Sequence, residues 1–244
     1  MARTLAAGEF LGWANPWSAG AISVFFRVNM DGVTSNNARC FAWADAAATS
    51  VPFNILRPSV NGRLQIRVVT SGTNMNLGEV GLSADTWYSV GASWTGNVGT
   101  ASTECKFYLD GTSRAAIDSG GTGSITDLGG IIGLGAIPDD SSHNPGDYQD
   151  FALWDRVLTA DEFLGLHKGY TPLHYPVGLR FYADLLRNRR DIIGGLSPTT
   201  DNGTDTDHIG GPYIGLGNQM LVAPPAPAAA VALPGLVMAP YQPQ

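Results

Sequence analysis

Carboxylates and imidazoles are the side chains of this 244-residue chain that could carry acid–base chemistry. Its glutamates and histidines are few and scattered: Glu9, Glu79, Glu104, Glu162, His143, His167, His174 and His208. A retaining glycosidase needs two carboxylates about 5 Å apart. No two glutamates lie within a few residues of each other, and no aspartate pair alternates on a predicted strand. The histidines lack metal-ligand spacing. The residue pattern therefore predicts a protein that is not an enzyme.

Sequence motifs of other enzyme classes are also missing. The chain has no Gly-x-Ser-x-Gly elbow, no glycine-rich loop ending in Gly-Lys-Ser/Thr, and no His-Glu-x-x-His.

The best candidate for an ion site is the acidic loop at residues 139–147. Asp139, Asp140 and Asp147 supply hard oxygen ligands of the kind that Ca²⁺ prefers. Their spacing does not match an EF-hand, and a hydrated turn is the simpler alternative. Calcium is thus the one cofactor that the residues suggest, and otherwise none is expected.

Composition excludes several classes of partner. The net charge is -7, so no basic patch exists to replace the counterions of a nucleic acid. No run of about 20 apolar residues predicts a membrane-spanning helix, and the N-terminus has no signal peptide, which predicts synthesis and folding in a cytoplasm. Cys40 and Cys105 are too few for a disulfide framework. Two buried free thiols are favoured, with a single bridge as the alternative.

Period-two alternation predicts many short strands. In the segment from Ile22, the residues Ile22, Val24, Phe26 and Val28 face inward. Residues 39–44, 53–56, 63–69, 87–94, 105–109 and 131–134 follow as further strands. Asp110-Gly111 predicts a tight turn. Residues 1–20 are predicted to be an irregular lead-in, and about nine strands at roughly ten-residue spacing indicate a two-sheet sandwich.

The stretch from Tyr148 to Gly169 is predicted to close the domain. It begins as a strand with Phe151 and Leu153 on one face, and it continues as a short helix. Thr159 and Glu162 have the spacing of a capping box at the start of that helix.

The order of these segments resembles the laminin-G-like branch of the concanavalin A-like lectin/glucanase superfamily. The resemblance lies in Trp87-Tyr88, Trp94-Thr-Gly96, Phe107-Tyr-Leu-Asp-Gly111 and residues 150–162, and it covers about residues 20–169. It implies an all-β, two-sheet antiparallel sandwich, a concanavalin A-like jelly roll with one short helix. Many relatives cut polysaccharides, but this chain lacks the Glu-x-Asp-x-x-Glu strand of the laminarinase-like branch. Relatives often carry Ca²⁺ near the sandwich rim.

Tryptophans could form a platform on which a sugar ring stacks. The candidates are Trp13, Trp17, Trp43, Trp94 and Trp154. Core packing is the favoured role for most of them.

Three segments are predicted along the chain. Residues 1–175 form the sandwich, residues 176–215 form a degenerate strand and loop extension packed on it, and residues 216–244 form an extended arm. No charged residue occurs from Gly210 to Gln244. The apolar residues expected to dock on a partner are Leu221, Val222, Val231, Leu233, Leu236, Val237, Met238 and Tyr241. A disordered Pro/Ala linker is the alternative.

The leading functional hypothesis is a non-enzymatic structural protein of a bacteriophage virion. It would decorate the capsid or the virion surface and dock through its arm onto other virion proteins or copies of itself. A carbohydrate-binding surface module, perhaps dependent on Ca²⁺ and attached to a cell-surface glycan, is the second hypothesis. A glycosidase is the third.

Overall fold

The computed structural model describes residues 2–6, 9–15, 20–30, 38–45, 51–57, 63–115, 117–125, 130–136, 142–185, 189–201 and 204–206. Within these ranges the strands are β1 (Ala2–Leu5), β2 (Leu11–Ala14), β3 (Ile22–Met30), β4 (Ala38–Asp45), β5 (Phe53–Arg57), β6 (Arg63–Val68), β7 (Met75–Gly81), β8 (Trp87–Trp94), β9 (Cys105–Leu109), β10 (Thr112–Ser113), β11 (Asp118–Ser119), β12 (Gly130–Leu134), β13 (Gly146–Trp154), β14 (Leu179–Ala183), β15 (Thr200–Asp201) and β16 (Thr204–Thr206). The helices are α1 (Ala101–Glu104) and α2 (Ala160–His167), followed by a 3₁₀ turn at Pro172–His174.

The strands form two antiparallel sheets. Sheet I has the order β10-β9-β8-β3-β13-β1-β16, and β14 also pairs with β13. Sheet II has the order β11-β7-β6-β5-β4-β12-β2-β15. This arrangement confirms the predicted all-β, two-sheet sandwich.

Alternating apolar side chains fill the space between the sheets. Ile22, Val24, Phe26 and Val28 of β3 face this core, as predicted, and each is fully buried. The intervening residues of β3 face outward, where they meet the helical layer. A second apolar cluster lies on that outer face of sheet I and includes Phe163 of α2. The helix therefore covers part of sheet I, and the strand residues beyond its end form the neighbouring surface.

The closing strand and helix agree with the sequence prediction. Phe151 and Leu153 belong to the core between the sheets, whereas Trp154 belongs to the outer cluster under α2. At the start of α2, the Thr159 hydroxyl accepts from the Glu162 amide, and the Glu162 carboxylate accepts from the Thr159 amide. This is the predicted capping box.

The predicted irregular lead-in was wrong for part of residues 1–20. β1 pairs with β13 and β2 pairs with β12, so both strands are integral to the sheets. Their partners lie more than 100 residues away, and each strand has four residues. Local periodicity could not reveal such long-range pairing in strands this short.

Several smaller elements also differ from the prediction. Strand β7 was not predicted, and neither was α1, which lies between the predicted strands 87–94 and 105–109. β13 begins at Gly146 rather than at Tyr148. The described residues therefore contain two α-helices where one was expected.

The segment after residue 175 contributes short strands to both sheets. β14 pairs with β13, β15 with β2 and β16 with β1. One compact unit extends as far as residue 213. The predicted arm at 216–244 lies outside the described residues. No described helix combines the length and the apolarity that a bilayer crossing demands.

Candidate functional site

A cleft of about 200 Å³ opens on the outer face of sheet I, beside the C-terminal end of α2. It is lined by Arg27, Trp87, Tyr88, Ser89, Asp110 and His167. These residues come from four segments: strand β3, strand β8, the β9–β10 turn and the last residue of α2. The cleft thus combines aromatic side chains with charged and neutral polar groups in one concave surface, which is typical of small-ligand sites.

Strand register places the floor of the cleft. Arg27 of β3 lies directly opposite Ser89 of β8, and Asn29 lies opposite Trp87. Because Val28 and Val90 face the core, these four residues project from the outer face. The ring of Trp87 is half-buried and borders the cleft.

A close approach of helix and sheet fixes the other wall. A Cβ atom at Gly91 would lie 2.4 Å from the Phe163 side chain, so only glycine allows α2 to lie this near β8. The helix ends at His167, whose side chain lies at the edge of the cleft. Gly91 and Ser89 are two residues apart on β8, so they lie on the same face of the sheet.

Asp110 enters the cleft from the predicted tight turn. Asp110 and Gly111 have φ angles of 52° and 69°, and Leu109 pairs with Thr112 across them. Two consecutive positive φ values in a two-residue hairpin are typical of a type I′ turn. The Ser89 amide donates to Asp110 Oδ1 over 2.9 Å, which holds the carboxylate against β8.

Serine, histidine and aspartate meet in this cleft, but not as a catalytic triad. Ser89 Oγ lies 2.9 Å from His167 Nδ1 and donates to Asp110 Oδ1 over 3.3 Å. Asp110 Oδ1 lies 3.9 Å from that same imidazole nitrogen. In a triad the carboxylate orients the histidine through the nitrogen opposite to the one that serves the serine. Here Ser89 Oγ and Asp110 Oδ1 both face the same nitrogen, Nδ1 of His167. This arrangement is suited to holding the three side chains in place and not to activating Ser89 as a nucleophile.

A buried ion pair supports the cleft from below. Arg27 Nε donates to Asp150 Oδ2 over 3.1 Å, and the two side chains are 5% and 6% exposed. Arg27 Nη2 donates to the Leu166 carbonyl at the end of α2. The Tyr182 hydroxyl donates to Asp150 Oδ1. Arg27 therefore joins the strand, the helix terminus and the buried carboxylate.

Asp150 has an unusual backbone and an unusual environment. Its φ angle is 56°, and it lies where the pairing of β13 with β3 shifts between Gln149 and Ala152. Such a bulge re-aims a side chain, here toward Arg27. Burial raises the pKa of the Asp150 carboxyl above its ordinary value, and the positive charge of Arg27 opposes this effect.

A retaining glycosidase needs a pair of carboxylates. Among the described residues that line this cleft, Asp110 is the one carboxylate. Three described glutamates have other roles. Glu9 accepts from the Ala6 amide, Glu104 from the Thr95 hydroxyl and Glu162 from Arg156. The site as described can bind and orient a ligand, and it offers no second carboxylate for hydrolysis.

The predicted calcium ligands are only partly within the described residues. Asp139 and Asp140 lie outside them. Asp147 lies on β13, is 4% exposed and accepts from the Thr4 hydroxyl. Over the part of the chain that the structure describes, no three acidic, histidine or cysteine side chains form a group that could hold a metal ion. The calcium site stays a prediction.

The tryptophans suggested as a sugar platform do not form one. Trp13, Trp43, Trp94 and Trp154 are all fully buried, and Trp17 lies outside the described residues. The aromatic side chain that borders the cleft is Trp87, which was not among the candidates. The alternation of β8 contained the signal, because Tyr88, Val90, Ala92 and Trp94 point inward and Trp87 therefore points outward.

The remaining sequence candidates are the arm and the cysteines. The arm residues Leu221, Val222, Val231, Leu233, Leu236, Val237, Met238 and Tyr241 lie outside the described residues, so their docking role stays a prediction. Cys40 and Cys105 are free and buried, in agreement with the favoured alternative.

Comparisons with known proteins agree with this fold. Residues 11–163 match the family model described as the concanavalin A-like lectin/glucanases superfamily. No curated protein matches the chain.

Solved structures share the fold at low sequence identity. A heptameric SAP-like pentraxin from Limulus polyphemus superposes with a TM-score of 0.52 at 16% identity, covering 80% of this chain and 89% of that one. A putative carbohydrate binding protein from Bacteroides ovatus superposes with a TM-score of 0.56 at 15% identity, covering 80% of this chain and 59% of that chain. The ligand binding domain of botulinum neurotoxin serotype D, in complex with N-acetylneuraminic acid, superposes with a TM-score of 0.51 at 14% identity, covering 67% of this chain and 40% of that chain.

Proposed function

Because this chain belongs to the concanavalin A-like lectin/glucanase superfamily, we propose that it is a glycan-binding module that acts through the cleft beside α2 and has no catalytic role. The observation that carries the proposal is the combination of a half-buried, outward-facing Trp87 with Asp110, Ser89 and His167 around one concave surface. One of the similar structures is named as a putative carbohydrate binding protein, which supports a carbohydrate ligand.

The chemistry of the lining suits a sugar. A pyranose ring has one largely apolar face, which would lie on the indole of Trp87, and a rim of hydroxyl groups. Asp110 accepts hydrogen bonds from such hydroxyls, and Arg27 donates them. Arg27 Nη1 has no hydrogen-bond partner among the described residues, although its other two nitrogens are engaged. Donors and acceptors fixed by the surrounding network lose little conformational entropy when a ligand binds.

The test is a glycan array followed by titration calorimetry with the strongest glycan that binds. Replacing Trp87 by alanine is expected to weaken binding at least tenfold, because truncating a central aromatic contact costs about 2 kcal/mol or more. Tyr170→Ala is the matched control, since Tyr170 is 50% exposed and outside the cleft lining. Unchanged affinity in Trp87→Ala would reject the cleft as the site. Repeating the array with a chelator tests the calcium requirement, including the ligands proposed at Asp139, Asp140 and Asp147.

A second proposal concerns where the module is displayed. The uncharged, proline-rich arm would dock the protein on a virion surface, on neighbouring virion proteins or on copies of itself, with the sandwich facing solvent. The support for it is the absence of charge from Gly210 to Gln244 together with the eight large apolar side chains from Leu221 to Tyr241. Deleting residues 219–244 is expected to abolish incorporation into particles. Undiminished incorporation of the truncated chain would rule out docking by the arm.

A further inference from the structure

We propose that the cleft selects a sugar without acidic groups, one that presents adjacent O–H or N–H donors to Asp110, and that it rejects carboxylated sugars. This inference rests on the proposed glycan-binding function and adds the class of ligand.

The charges around the cleft carry the selection. Arg27 is the permanent cation in the lining, but its charge is already matched by Asp150 at 3.1 Å in an environment from which water is nearly excluded. Asp110 has no such partner among the described residues: its carboxylate is 40% exposed, and the basic group beside it is the His167 imidazole, at 3.9 Å. A carboxylated sugar would therefore place its negative charge against the negative charge of Asp110.

The hydrogen-bond pattern of Asp110 agrees with this selection. Oδ1 accepts from the amide and the hydroxyl of Ser89. No described residue donates to Oδ2. A carboxylate oxygen only accepts hydrogen bonds, so the group that completes this site must be a donor. Sugar hydroxyl and amine groups are donors, whereas a sugar carboxylate at neutral pH is not.

The charge of the whole chain acts in the same direction. A net charge of -7 lowers the concentration of polyanionic glycans near the surface and slows their association. This long-range effect is screened by salt, whereas the contact with Asp110 is local.

Asp110→Asn is the decisive substitution. Asparagine keeps one oxygen that can accept from the Ser89 amide, and it tolerates positive φ. It removes the negative charge and replaces the second carboxylate oxygen by an NH₂ donor. The experiment is an array in which each neutral or amine-bearing oligosaccharide is printed beside its sialylated and uronic-acid derivatives. It is probed at 150 mM salt with the wild-type chain, Trp87→Ala, Asp110→Asn and Asp161→Asn. Asp161 is an exposed carboxylate on α2, so its substitution makes the same change of net charge outside the cleft.

We expect every Trp87-dependent glycan bound by the wild-type chain to be non-acidic. Asp110→Asn should lower the affinity for those glycans about tenfold, because a hydrogen bond to a charged group is lost. The same variant should reduce the difference in affinity between each neutral glycan and its acidic derivative. Asp161→Asn should leave that difference unchanged. Trp87-dependent binding of an acidic glycan by the wild-type chain would overturn this inference and leave the glycan-binding proposal intact. Trp87-independent binding, or none at all, would reject the glycan-binding proposal itself.

Discussion

Replacing Arg27 by methionine tests whether the buried network holds the cleft together. Methionine retains an unbranched side chain of similar length and loses every donor. The substitution removes the ion pair to Asp150 and the hydrogen bond to the Leu166 carbonyl. Asp150 would remain on the bulge of β13 at 4% exposure, with the Tyr182 hydroxyl as its remaining side-chain donor among the described residues.

Removing one member of a buried ion pair costs about 3–5 kcal/mol of unfolding free energy, because the other charge is left uncompensated. For a domain of this size, each kcal/mol lowers the melting temperature by about 2–4 °C. We therefore expect a decrease of roughly 6–20 °C at neutral pH. Arg180→Met is the matched control. Its pair with Asp155 is 55% and 28% exposed, and such pairs contribute about 0–1 kcal/mol.

The pH dependence gives a sharper check than the magnitude. Burial raises the folded-state pKa of Asp150 above its unfolded value, so the folded chain binds this proton more tightly. The associated stability is fully present below the unfolded value of about 3.9 and is lost as pH rises through the raised folded value. Arg27 opposes the rise, so Arg27→Met raises the Asp150 pKa further. The cost of the substitution should accordingly be small in acid and largest at neutral pH.

Urea unfolding followed by fluorescence, measured from pH 4 to pH 8 on single variants and on Arg27→Met/Asp150→Asn, provides the assay. The double variant removes both charges and should be more stable at pH 7 than Arg27→Met alone. Equal costs for Arg27→Met and Arg180→Met, or a cost that does not change with pH, would refute the proposed role of the buried pair.

Two further substitutions and one chemical treatment test the packing of the helix and of the core. Thr159→Ala removes the capping hydroxyl of α2 and should cost about 1 kcal/mol in urea unfolding, whereas Thr159→Ser should cost little. Gly91→Ala would place a Cβ 2.4 Å from Phe163 and should cost about 1–3 kcal/mol and weaken glycan binding in the same titration, because α2 must shift. Burial raises the pKa of both Cys40 and Cys105 to about 12, so neither thiol should react with a disulfide reagent at pH 8 until urea is added.

The strands with long apolar patterns on one face were predictable from the sequence. In β3, β6 and β8 every second residue is apolar over at least six positions, which is enough to identify a strand and its inward face. The turn at Asp110 was also predictable, because Asp-Gly tolerates the positive φ angles of a type I′ hairpin. These signals are local, so no partner strand is needed to recognise them.

Other parts of the fold depend on distant residues. β1 and β16 are four and three residues long; β1 pairs with both β13 and β16, and β16 lies at the edge of sheet I. The bulge at Asp150 shows no signal in the sequence either, since its carboxylate faces Arg27 only once β13 and β3 are paired. Isolated short segments have too few alternating positions to be distinguished from loops.

Sequence alone determined that two apolar sheet faces would close into a sandwich and that a capped helix would follow its last long strand. Both outcomes depend on period-two and capping patterns that a short window of residues contains. Tertiary structure alone decided that Arg27, Trp87, Asp110 and His167 would meet in one cleft. Strand register and the glycine at position 91 bring them together across 140 residues of chain, and no local pattern encodes a distance between segments so far apart.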